Sequence, residues 1–124
     1  MPFTTGIITS TRAEGTAATN VVVSVRNVDT SDATVVVQIF GVPWSTLILT
    51  PHYVTSYDIP ANSSDIREFY IAGNVAYEVQ INNLSPSVEV AFSTYGLDEF
   101  GNIVEEQRVL NSELTPIAAL SPVS

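Results

Sequence analysis

The chain has 124 residues, enough for one domain with its own core and too few for two. Thirteen acids against four bases give a net charge of −9, so neither a nucleic-acid backbone nor an anionic membrane surface is an expected partner. Hydrophobic residues make up 45% and charged residues 14%, against roughly 25% charged in ordinary soluble domains. That leaves a surface of Ser, Thr, Asn and Val suited to meeting other protein, while the absence of Cys removes disulfides and thiolate sites.

Short β-runs bounded by turn residues dominate, and no segment carries a 3.6-residue apolar stripe. Strands are expected over residues 4–11, 20–28, 34–42, 46–50, 53–59, 66–72, 75–82, 88–97 and 103–110. The first charged side chain is Arg12, and residues 3–11 before it are uncharged and rich in β-branched side chains. Ala13-Glu14-Gly15-Thr16-Ala17-Ala18-Thr19 follows as a small-residue spacer. Such an arm can be an edge strand of its own sheet, or it can add itself to a neighbour's open sheet. The second use makes Phe3, Ile7 and Ile8 candidate subunit-interface residues.

Asp29-Thr30-Ser31-Asp32 and Asn83-Leu84-Ser85-Pro86-Ser87 read as hairpin turns, and residues 60–65 as a polar connection. Val75, Tyr77, Val79 and Ile81 alternate with Ala76, Glu78, Gln80 and Asn82, and Val88, Val90 and Phe92 with Glu89, Ala91 and Ser93. The apolar set is expected in the core, with Glu78, Gln80 and Glu89 in solvent. One internal similarity stands out: Asn20-Val21 opens a hairpin that Phe40-Gly41-Val42 closes, and Asn74-Val75 opens another that Tyr95-Gly96-Leu97 closes. The pattern suits a two-sheet sandwich with approximate internal symmetry. The tail, residues 114–124, has no charged side chain, and its Ile117 and Leu120 join the candidate interface. The expected organisation is an arm and spacer over 1–19, a sandwich over 20–113 and an apolar tail over 114–124. The fold class is all-β, a single-domain β-sandwich of eight or nine short strands with a jelly-roll-like arrangement.

Residues able to carry chemistry are few. His52 is the only histidine, beside Pro51, and no nucleophile elbow accompanies it. Glu105 and Glu106 are adjacent on an expected strand, so their side chains leave from opposite faces and cannot act on one bond. Asp98-Glu99-Phe100-Gly101-Asn102 is rich in oxygen but lacks the spacing of a calcium loop. Hence no catalytic residue, cofactor, metal or small-molecule substrate is expected. Trp44, after Pro43, is assigned to the subunit interface; a carbohydrate-binding module using it and nearby tyrosines is the alternative.

Pro60-Ala61-Asn62-Ser63-Ser64-Asp65-Ile66-Arg67, then Val75-Ala76-Tyr77-Glu78-Val79-Gln80-Ile81, and the stretch from Tyr95-Gly96-Leu97-Asp98 to Gln107-Arg108-Val109-Leu110-Asn111-Ser112-Glu113-Leu114 resemble small spore-surface β-sandwich proteins of spore-forming bacteria. The resemblance covers roughly residues 60–117, and its nearest functional relatives are the subunits of endospore appendages, which are pilus-like fibres. It implies a jelly-roll fold and subunits joined through an N-terminal connector. Connector cysteines cross-link subunits in that family; this chain has none, so a fibre would hold by strand addition and interface packing alone. The expected function is a structural subunit that assembles non-covalently with copies of itself, extracellularly or on a spore surface. A phage or viral structural protein is a further alternative. Residues 1–11 have neither a basic start nor an apolar stretch of signal length, and no run is long enough to span a membrane, so release by lysis is the expected route outward.

Overall fold

The computed structural model describes residues 1–123. The β-branched runs form ten strands: β1 (Phe3–Thr4), β2 (Ile8–Thr9), β3 (Asn20–Asn27), β4 (Ala33–Pro43), β5 (Thr50–Ile59), β6 (Ser63–Tyr70), β7 (Asn74–Asn83), β8 (Val90–Leu97), β9 (Ile103–Val109) and β10 (Thr115–Pro116). One six-stranded sheet runs β10-β1-β7-β4-β5, with β2 also on β7; a four-stranded sheet runs β6-β3-β8-β9. All pairings are antiparallel. The two sheets form a β-sandwich, with β4 between β5 and β7 in one and β3 between β6 and β8 in the other.

Alternate residues of the central strands meet between the sheets. Val21, Val23 and Val25 of β3 and Phe92 of β8 face Val35, Val37 and Ile39 of β4 and Tyr77, Val79 and Ile81 of β7. Ile8, Ala18, Tyr57, Ile59, Ile71 and Leu114 close the rim of this core. Val88 is buried as expected, whereas Val75 and Val90 are half-buried near strand ends.

Several sequence expectations are corrected. Residues 46–50 do not form a strand: Pro43 O accepts hydrogen bonds from the Thr46 and Leu47 amides, Leu47 has φ 57°, and β5 begins only at Thr50. The expected first strand is split into β1 and β2 around Gly6, whose φ of 71° jogs the backbone. Asp29-Thr30-Ser31-Asp32 and Asn83-Leu84-Ser85-Pro86-Ser87 are not hairpin turns. β3 and β4 lie in different sheets, as do β7 and β8, so both segments are arches across the sandwich. Two-residue periodicity fixes which residues face inward but not which strand lies alongside. Gln80 points out of the sandwich yet is only 2% exposed, because the tail covers it.

The internal similarity corresponds to an approximate two-fold arrangement of the strands. β3 and β7 both start with Asn, β4 and β8 both near their ends carry the Gly, and the two arches pair with each other: β3 with β8, β4 with β7. The equivalence extends outward. β5 flanks β4 as β9 flanks β8, and β6 covers the free side of β3 as the arm covers that of β7.

Candidate functional site

The arm is attached by chemistry as well as by register. β1 pairs Phe3 with Ile81 and Thr4 with Gln80, and β2 pairs Ile8 with Tyr77 and Thr9 with Ala76. Between them Thr5 exchanges hydrogen bonds with Val79, its amide donating to Val79 O at 3.0 Å and its hydroxyl accepting from Val79 N–H at 3.0 Å. Thr4 Oγ1 donates to the Glu78 carboxylate. Phe3 packs against the core and Ile8 belongs to it, while Ile7 is exposed. In the single chain, then, two of the three arm residues assigned to a subunit interface complete the chain's own sandwich.

The end of the arm enters a buried polar cluster. Ser10 Oγ accepts from Ala18 N–H at 3.0 Å and from Gln107 Nε2 at 3.1 Å, and Gln107 Nε2 also donates to Thr9 O at 3.2 Å. Tyr77 Oη donates to Gln107 Oε1 at 2.8 Å, and burial pushes the Tyr77 hydroxyl pKa well above the ordinary phenol range. Gln107 fits because β8 has Gly96 beneath it; a Cβ there would overlap Oε1. The two-fold-related position repeats the device: Gly41 on β4 lies under His52, whose Nε2 is 3.1 Å from Asn74 Oδ1. His52 and Gln107 follow their glycines at the same interval. The exposed side chain of His52 therefore caps a glycine beside an amide, with no nucleophile hydrogen-bonded to it. Sequence reading missed Gln107, Ser10 and Tyr77 as a cluster; the recurrent glycine was its only trace.

Beyond the cluster the spacer surfaces. Residues 11–15 are exposed, and Arg12 forms a two-pronged ion pair with Glu99 at 2.9 and 2.5 Å. That hydrogen-bonded guanidinium holds the Glu99 carboxyl below the usual carboxylate range. Asp98 Oδ1 accepts the amides of Phe100 and Asn102, both at 2.9 Å, so the oxygen-rich loop is a side-chain-closed turn. No group of three or more Asp, Glu or His suited to a metal occurs among the described residues. Glu105 and Glu106 are both exposed on edge strand β9.

The tail extends the arm. β10 pairs with β1, Ile117 N–H donates to Pro2 O at 2.9 Å, and Ser121 clamps the Gln80 amide through N–H···Oε1 and Nε2–H···Oγ bonds of 2.8 Å each. Ile117 and Leu120 are half-buried along this path. Trp44 is 73% exposed, on the loop joining β4 to β5 with exposed Leu47, Ile48 and Leu49. Strand directions bring that loop to the same end of the sandwich as Phe100, which is 81% exposed. The outer face of the four-stranded sheet carries a shallow furrow of about 290 Å³ over Ser24, Ser93 and Ala91, walled by Ile66. Compared with known proteins, the chain matches no family model, no curated protein and no solved structure. Among the described residues no helix is long and apolar enough to cross a membrane.

Proposed function

We propose that this protein is a non-enzymatic structural subunit that assembles with copies of itself outside the cell or on a spore surface, joined by its N-terminal arm. The observation that carries this reading is the arm itself. It fills an edge position on β7 with core side chains, yet hangs from the rest of the chain by the exposed spacer 11–15. An element that completes a core from the end of a tether can complete the same core in a second copy, with the pairings of β1 and β2 preserved and only the Thr11–Thr16 bridge across the spacer opened. Exchange of this kind uses two different surfaces per subunit, the donated arm and the vacated β7 edge, so it propagates as a filament unless its rotation closes a ring. The Gln107 cluster and the tail strand β10 then define the slot that receives the arm. Nothing in this mechanism needs a cysteine.

The experiment is a cross-link across the β2–β7 register. Thr9 and Ala76 are directly paired, so Thr9→Cys with Ala76→Cys places two thiols at disulfide distance in a chain without other cysteines. Oxidation after concentration and incubation should give a ladder of covalent multimers. Internally bridged monomers alone, at any concentration, would defeat arm exchange.

A further inference from the structure

Among the described residues the outer edges of the sandwich are β10 with β2, β6, β9 and β5, and all but β5 are protected against pairing; β2, like β10, is only two residues long. The β10 edge is two residues long and ends in Pro116. The β6 edge carries Asp65, Arg67 and Glu68; Arg67 is ion-paired to Asp65 at 2.9 Å and lies over the Tyr57 ring at 3.6 Å, on the inward side. The β9 edge carries Glu105, Glu106 and Arg108. Short length, proline and charge, including charge that points inward, are the usual means by which β-proteins keep their edges from pairing. The β5 edge has a register irregularity at His52, near its start, and beyond it none of these protections over most of its length. It runs ten residues, its proline lies at the second position, and its only charged side chain is Asp58 near the far end. Inward it presents Tyr53 and Tyr57, outward Val54 and Ser56, and its far side pairs with β4 alone.

Charge also selects the partner. The chain carries −9, so two copies repel wherever acids from both come within the roughly 8 Å over which physiological salt leaves charges unscreened. Residues 33–57 contain no Asp, Glu, Lys or Arg, and they form β4, the exposed Trp44–Leu49 loop and nearly all of β5. This is the one long stretch along which a second copy can approach without meeting like charge.

We infer that β5 pairs antiparallel with β5 of a second copy across a two-fold axis, joining two six-stranded sheets into one. This contact rests on the assembly reading for the identity of its partner but differs from the arm in symmetry: it is isologous and closes at two subunits, whereas arm exchange is open-ended. Because the strands run antiparallel, each Trp44–Leu49 loop lies beside the partner's turn after Ile59, where Pro60 and Ala61 lead into a polar, uncharged Asn62-Ser63-Ser64. Together the two contacts would make a filament of paired subunits.

The test uses the full chain with its arm locked by the internal Thr9–Ala76 disulfide, which leaves the arm unable to exchange. Analytical ultracentrifugation should find this locked protein as a dimer. Val54→Glu with Ser56→Glu puts like charges across the joint in every register centred on the middle of β5 and should weaken the dimer by about tenfold or more, with the circular dichroism spectrum unchanged. A spin label at Ser56→Cys in the locked dimer should give one intermolecular distance of about 20 Å or less, as a strand spacing near 4.8 Å and a rise near 3.4 Å per residue require. A locked chain that stays monomeric at millimolar concentration, a dimer indifferent to both glutamates, or a Ser56 separation well beyond that range overturns the β5 contact. None of these outcomes bears on the cross-linked ladder, which tests the arm. A foreign strand as the natural occupant would appear as the monomer outcome.

Discussion

Replacing Gly96 by Ala should be among the most damaging single-methyl additions available to this protein. The φ of Gly96 is not in the left-handed region, so the backbone tolerates Ala, and on propensity alone the change should gain roughly 0.5–1 kcal/mol. The cost is entirely one of space. The new Cβ would overlap Gln107 Oε1 and stand 3.0 Å from Gln107 Cδ and 3.1 Å from the Cβ of Ala18, itself fully buried. Gln107 can yield only by leaving its cluster, which breaks its bonds to Tyr77 Oη, Ser10 Oγ and Thr9 O. Tyr77 Oη is then buried without a partner, and so is at least one further polar group. At about 1–3 kcal/mol for each orphan, less the propensity gain, the net loss is about 1–5 kcal/mol. Chemical denaturation followed by circular dichroism measures it as a lower midpoint at constant slope. The decisive comparison is a double-mutant cycle. On a Gln107→Ala background the space already exists, so adding Gly96→Ala should cost nothing, a coupling of about 1 kcal/mol or more. A loss under about 1 kcal/mol for Gly96→Ala alone, or strict additivity, refutes the packing argument.

Two further substitutions probe other parts of the sandwich. Ile81→Ala, in the middle of β7 and fully buried, should cost about 2–5 kcal/mol through lost burial and a residual cavity; a loss in the few tenths typical of surface sites would contradict its assignment to the core. Tyr57 Oη is buried without a hydrogen-bond partner, so Tyr57→Phe should be neutral or stabilising by about 1 kcal/mol in urea unfolding. Tyr57 also sets an alkaline limit. Burial first, and the Asp65 carboxylate second, push its hydroxyl up to about 12. A group with a raised folded pKa contributes fully below its unfolded value near 10 and loses that contribution as pH rises toward 12. Stability should therefore fall across that window, and less steeply in Tyr57→Phe; equal slopes would mean that the phenol is not desolvated.

Much of the fold was legible because inward and outward positions alternate in nearly every strand. Val21, Val23 and Val25, or Tyr77, Val79 and Ile81, declare their faces from the sequence alone, and so does the all-β class. Partner choice was not legible, since a turn such as Asp29-Thr30-Ser31-Asp32 serves a hairpin and an arch equally well. The amide of Asn27 shows the difference, reaching Ser31 O at 2.9 Å and Ile59 O at 3.0 Å to close an arch. Gln80 was misplaced because nothing local announces that Ser121, far along the chain, returns to cover it. In the exposed Trp44 loop the apolar run Leu47, Ile48 and Leu49 suggests a strand; backbone turns at Pro43, not side-chain pattern, decide that segment. The arm was legible as a segment but not in its seating, which depends on Gln107 and Gly96, residues with no sequence signal beyond a glycine that recurs at the end of a strand.

The arches carry a consequence for how the chain is made. Only β4–β5 and β8–β9 join strands that are consecutive in the chain; β3 must wait for β6 and β8, and β4 for β7. Folding therefore has to close long loops before most of its ladders exist, which places it among slow topologies. During synthesis the first hairpin to form, β4 with β5, is also the stretch without charge, and it stands in solvent with both flanks bare until β7 emerges from the ribosome. The nascent chain thus meets its greatest hazard of mispairing about midway through translation, and conditions that slow elongation over residues 60–83 should lower the yield of folded protein more than the same delay placed after residue 110.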